Sequence, residues 1–256
     1  MNRHVGSLHW ATLTGGALRR EDRLRLVAQT MLTRLGQLPE RLRRQLGFAD
    51  ATATRLDLTA IRLPDSPAAL RASEHSQLLS APWLFNHCQR TYIWAALLAQ
   101  VERIEFDAEL LFIACTLHDL GLTAAHSCQE PGCACFAVEG ARAAQRFVTQ
   151  LGWPAERSER LAEAISLHLN VRVGLGQGAE AHLLHEGAAL DVIGVRIHQL
   201  GPRAIATTLE RYPRLGFKSQ LVPAIKQQAR LRPNSRAAFL LGLGFSQMIR
   251  TTPLEE

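Results

Sequence analysis

The sequence predicts an all-α protein. Period-2 alternation is nearly absent from its 256 residues, apolar positions recur at helical spacing, and prolines and glycines sit where helices begin and end. Taken in order, an amphipathic, Arg-rich arm supplies expected helices over 20–36 and 39–47. Ser66 before Pro67 reads as an N-cap with proline at the first helical position and opens 66–79. A long apolar stripe defines 83–101, and the run "LFIACTLHDLGL" closes 107–120, with Gly121 as its stop. Gly152 ends 137–151 and Pro154 opens 154–169; a further helix is expected over 182–199. Pro202 opens 202–211, and 222–231 and 235–250 complete the chain. With no long Gly/Ser/Pro linker and no internal repeat, these helices are expected to form one compact body. An N-terminal helical extension, 1–58, precedes a core over 59–211, and C-terminal helices, 212–256, pack on that core.

Composition narrows the function classes. At 47% apolar the chain can bury a substantial core, and no apolar stretch approaches the roughly 20 residues that span a bilayer. The N-terminus lacks an apolar signal core, so a cytoplasmic protein without a membrane partner is expected. The net charge is +6, carried by 27 arginines and only two lysines, Lys218 and Lys226. The arginines are interleaved with acids ("RREDRLR", "ERSER") rather than gathered in a basic run, so no nucleic-acid partner is expected. Three of the five cysteines, Cys128, Cys133 and Cys135, crowd into "CQEPGCAC". Their spacing does not match paired zinc knuckles, and a fourth ligand would have to come from His126 or Cys115, so they read as reduced thiols in a surface loop.

The informative residues are polar ones on apolar faces. His118 and Asp119 end a segment that otherwise reads as buried. His87 shares a stripe with Thr91, Trp94 and Leu98; His168 continues that of Leu161, Ala164 and Ile165; Asp191 lies among Leu184, Ala188 and Val195. A lone buried histidine is ordinarily satisfied by a carbonyl, whereas an unpaired buried carboxylate costs several kcal/mol. Imidazoles and carboxylates converging on one point would be reconciled by a divalent cation between them. Such a ligand mix suits Zn, Fe, Mn, Ni or Co.

The order His87, His118–Asp119, Asp191 resembles the HD-domain metal-dependent hydrolase superfamily. The segments "PWLFNHCQRTYIWAALLA", "LHDLGLT", "FAVEGARAAQRFVTQLGW", "AISLHLN" and "GAALDVIGVR" resemble its cyanamide hydratase-like branch, over roughly residues 60–200. The resemblance implies an all-α domain with a central metal site whose ligands are His87, His118, Asp119 and Asp191. It places His168 beside the metal as the catalytic proton-transfer group. The cysteine-rich insert after Thr123 departs from the family pattern.

An open divalent site lowers the pKa of bound water towards neutrality. One metal is expected, Zn or Fe first and Mn, Ni or Co as alternatives, because "FAVEGARAA" offers Phe136 and Glu139 where binuclear relatives place a histidine. The segment after the pair supplies Leu122 and Thr123, where many HD phosphatases carry lysine. The expected activity is therefore hydration or hydrolysis of a small neutral nitrile- or amide-like molecule by metal-bound hydroxide, with Asn86 and Arg90 as candidate substrate-binding residues. The alternatives are an HD phosphohydrolase acting on a nucleotide or other phosphate ester, and a non-catalytic metal- or ligand-binding regulatory domain. The partner is a small-molecule substrate, with homo-oligomerisation left open.

Overall fold

A computed structural model describes residues 4–36, 38, 56–127 and 133–256. The secondary structure among them is helical, and the lone extended pairing is an isolated bridge between Ala17 and Ser235. The expected helix at 39–47 lies outside the described residues.

The helices are α1 (Leu8–Thr14), α2 (Arg20–Gly36), α3 (Pro67–Leu79), α4 (Pro82–Glu102), α5 (Ala108–Leu117), α6 (Phe136–Gln150), α7 (Ala155–Leu167), α8 (Ala179–Ile193), α9 (Pro202–Arg211), α10 (Phe217–Leu231), α11 (Arg236–Gly242) and α12 (Phe245–Arg250). Ser66 caps α3 as expected, its hydroxyl accepting from the Ala69 amide. Three boundaries differ from expectation. The helix expected over 182–199 is α8, which starts at Ala179 and stops at Ile193, because Gly194 adopts a left-handed conformation (φ 71°) that turns the chain. The helix expected from 222 begins at Phe217 and carries Pro223 inside it. The segment 235–250 is broken into α11 and α12 at Gly244 (φ 88°).

Helix α4 lies at the centre. It is buried on nearly every side from Leu84 to Ala99, which is why its sequence shows little amphipathic contrast. Helix α5 is equally apolar and packs beside it, while α3 lays Ala69, Ala72 and Ser76 against the same core. Ser76 Oγ bonds the Thr116 carbonyl at 2.9 Å. On the other flank α8 crosses α4 closely at Gly187, where an added Cβ would stand 2.5 Å from the Thr91 carbonyl oxygen. That close approach brings Asp191, one turn further along α8, to His87, Arg90 and Trp94.

A second apolar cluster gathers α1, the N-terminal turn of α6 and helices α10 to α12 around Trp10, Phe136, Phe217 and Ile249. The two ends of the chain thus close over the helices that carry the polar residues. Cys133 is disulfide-bonded, which corrects the expectation of a reduced thiol there, and Cys135 is a free thiol but buried rather than at the surface; Cys128 lies outside the described residues. Cys135 is enclosed because its Sγ packs against Gly16 and accepts from Arg236 Nη2 at 3.6 Å.

Candidate metal centre

Helix α5 ends where its apolar run ends. His118 still has helical angles, whereas Asp119 (φ −103°, ψ 16°) leaves the helix and turns its carboxylate towards His87 on α4. Gly121 permits the close approach of the Phe136 backbone, since an added Cβ would lie 2.0 Å from its carbonyl oxygen. His168 stands at the corresponding point of α7, just beyond its last residue.

The three imidazoles converge on one carboxylate. His87 Nε2 and His118 Nε2 lie 3.6 and 3.4 Å from Asp119 Oδ2, and His168 Nε2 lies 3.6 Å from Asp119 Oδ1. His87, His118 and Asp119 each offer a ligand atom within 4.8 Å of the others, and all three are buried. The rings stack edge-on in sequence, His87 to His118 at 5.1 Å and His118 to His168 at 4.9 Å.

The far side of each ring fixes its tautomer. His118 Nδ1 faces the Cys115 carbonyl at 2.7 Å and His168 Nδ1 faces the Ile165 carbonyl at 2.6 Å. His87 Nδ1 faces Asp191 Oδ2 at 2.8 Å. Carbonyls and carboxylates accept, so each Nδ1 carries the proton and donates it. Burial lowers the His118 pKa, and burial together with the neighbouring His118 pushes His168 down to about 3. Both rings are therefore neutral near pH 7, with the Nε2 lone pair unprotonated. Burial alone would raise the Asp119 carboxyl, but attraction between its charge and the neighbouring imidazoles whenever they are protonated keeps it below the usual carboxylate value, so it is ionised near pH 7. The nitrogen lone pairs of His118 and His168 thus face oxygen lone pairs of Asp119 at 3.4 and 3.6 Å with no proton between them. A cation at their meeting point resolves the repulsion, so the donor set fits a divalent metal.

Asp191 is placed differently from the sequence expectation of a ligand. It stands behind His87, fully buried, and its oxygens are already engaged. Arg90 grips it with Nε to Oδ1 and Nη2 to Oδ2, both 2.8 Å, and Trp94 Nε1 donates to Oδ1 at 2.8 Å. Burial opposes the charged form, yet Arg90 and His87 hold the Asp191 carboxyl well below its ordinary range. The geometry is that of a carboxylate orienting the His87 ring through its Nδ1 proton. Arg90, expected as a substrate contact, is buried against Asp191, with Nη1 donating to the Tyr212 and Pro213 carbonyls. Asn86 donates to the same Pro213 carbonyl at 2.8 Å.

Other neighbours carried no local signal in the sequence. Phe217 packs 4.8 Å from the His87 ring, and the guanidinium of buried Arg214 lies 4.6 Å over Phe217 while donating to the Asp191 backbone carbonyl at 3.0 Å. Phe136 stands 6.1 Å from His168. His185 is occupied with the His168 carbonyl at 2.9 Å.

Residues 84–200 match the HD domain family. That segment is similar to an HD domain. The match contains every element of the cluster, from His87 through His118–Asp119 and His168 to Asp191, including the three residues placed to hold a metal ion. No curated protein matches the chain. Among the described residues, no helix is long and apolar enough to cross a membrane.

Proposed function

We propose that this HD domain is a metal-dependent hydratase or hydrolase acting on a small neutral substrate of nitrile or amide type. The observation that supports it is the convergence of three imidazoles on Asp119, beside a cation, Arg90, that is already committed to Asp191. His87, His118 and Asp119 would hold one divalent transition metal, Zn or Fe first. When bound, that ion would supply Lewis acidity and activate water for attack.

The surrounding residues have separable tasks. Asp191 holds the His87 proton on Nδ1 and so keeps Nε2 directed at the centre. Arg90 and Trp94 fix Asp191 in turn. His168 presents an unprotonated Nε2 and would accept a proton from the attacking water, returning it to the substrate nitrogen as the carbon–oxygen bond forms. Phe136 and Phe217 give the centre aromatic neighbours suited to an uncharged molecule. Phosphate esters need cations placed for the developing phosphoryl charge. The turn after the pair supplies none, since Thr123 Oγ1 is bonded to the Leu120 carbonyl and Leu122 is apolar.

The test compares kcat/KM for cyanamide or a related nitrile with that for a nucleoside monophosphate, using one metal throughout. Preference for the nitrile, lost on replacing Asp119 by Ala, supports the reading. A clear preference for the nucleotide assigns a phosphohydrolase instead. If chelation unfolds the protein and no substrate turns over in the metal-loaded form, the centre is structural.

A further inference from the structure

A concave site lies along α10, and none of its lining residues belongs to the cluster. It is a groove of about 530 Å³ whose walls include Lys218, Lys226, Arg230 and Arg250, over a floor formed in part by Val222 and Pro223. Lys218, Val222, Lys226 and Arg230 recur every four residues and so form one stripe along the helix, and Arg250 joins them from the end of α12. Both lysines of the whole chain are in this groove.

The charge arrangement is unfavourable without an anion. Like charges one helical turn apart repel, and Lys226 and Arg230 are such a pair. Elsewhere the chain neutralises its arginines: Arg157 pairs with Asp107 and Glu109, and Arg160 with Glu180. No Asp or Glu lines the groove, and among the described residues Lys226, Arg230 and Arg250 form no ion pair. At one end Lys218 Nζ donates to the Thr252 carbonyl, and its backbone amide is met by the Glu256 carboxylate at 3.2 Å, so that end already holds an anionic group. The free cations are the three further along.

We propose that this groove binds a small molecule bearing two or more phosphate groups. Its volume lies in the range of small-ligand sites, three uncompensated cations from two helices can share a polyanion, and the Val222–Pro223 floor accepts an uncharged portion. The site is independent of the metal-centre reading, because none of its residues belongs to the cluster.

The experiment is calorimetric titration of the metal-loaded full chain with inorganic tripolyphosphate, at about 0.15 M salt to screen exposed charge. The expected result is saturable binding at one site, weakened by about tenfold or more in the Lys226→Gln/Arg230→Gln variant. The Arg71→Gln/Arg172→Gln variant, which removes the same charge from exposed positions elsewhere, should bind like the parent. A nucleoside triphosphate in a parallel arm separates the two sources of that chemistry: tighter binding than tripolyphosphate assigns the apolar floor to the nucleoside, and equal binding assigns the site to the phosphates alone. Absence of saturable binding overturns the proposal. So does unchanged affinity in Lys226→Gln/Arg230→Gln, which would place the anion at the metal centre. Equal weakening in both double variants, or orthophosphate binding as tightly as tripolyphosphate, overturns it as well.

Discussion

Replacing Arg90 by Met should destabilise the fold before it touches any substrate. The change removes both 2.8 Å bonds from the guanidinium to Asp191 and leaves a carboxylate with no solvent exposure. His87 and Trp94 remain bonded to it, and Arg214 Nη1 lies 3.5 Å from Oδ1, so the charge is weakened in its support rather than abandoned. Breaking a buried pair by removing one partner costs about 3–5 kcal/mol, and the remaining donors place this case near the lower end. Loss of the Nη1 bonds to the Tyr212 and Pro213 carbonyls adds to the cost. At roughly 2–4 °C per kcal/mol for a chain of this size, Tm should fall by roughly 10 °C. Thermal and urea unfolding of the metal-free protein, followed by circular dichroism, measure this directly. Arg90→Lys should recover little, because an ammonium cannot reproduce the two-pronged contact. A variant Arg90→Met with wild-type stability and a changed KM would refute the reasoning and return Arg90 to substrate binding.

Elemental analysis of protein purified without chelators should find about one divalent transition metal per chain, and Asp119→Ala should lose it; full occupancy by two metals would contradict the single-centre reading. His168→Ala should retain the metal and lower turnover by roughly 10²–10⁴, the usual worth of a positioned proton-transfer group. Loss of metal in that variant would make His168 a ligand instead. The metal-free protein should lose stability as pH falls. His168 is held near 3 when folded against 6.5 as a free side chain, so between those values the unfolded state binds more protons. Its contribution is complete above about pH 6.5 and declines below it, so a denaturation midpoint that stays flat from pH 8 to 5 is inconsistent with a buried neutral ring. Gly187→Ala should cost about 1–3 kcal/mol and weaken metal binding, since a Cβ set 2.5 Å from the Thr91 carbonyl oxygen pushes α8 from α4 and Asp191 from His87. Unchanged metal affinity with unchanged stability would show that the crossing can absorb the methyl group.

What the sequence determined by itself were the features set by local chemistry. Helical periodicity, the Ser66–Pro67 start and the apolar run ending in His118–Asp119 depend on spacing and backbone preference, and they appear in the structure as read. Five buried ionisable groups on four apolar helices were legible for the same reason, because a charge on a face that must pack stands out in a linear pattern. Where each points was decided only by tertiary packing. Asp191 shares one face of α8 with apolar neighbours, but whether it meets a metal or the back of His87 depends on how closely α8 approaches α4 at Gly187. Arg90 lies three residues from His87 in either case; the carbonyls of Tyr212 and Pro213 and the carboxylate of Asp191, more than a hundred positions away, turn it inward. Phe217 and Arg214 had no local mark at all, since an aromatic and an arginine in a loop-to-helix segment are ordinary until the C-terminal helices fold back over the centre. Spacing along a chain encodes which face a side chain occupies, and long-range contact encodes what that face meets.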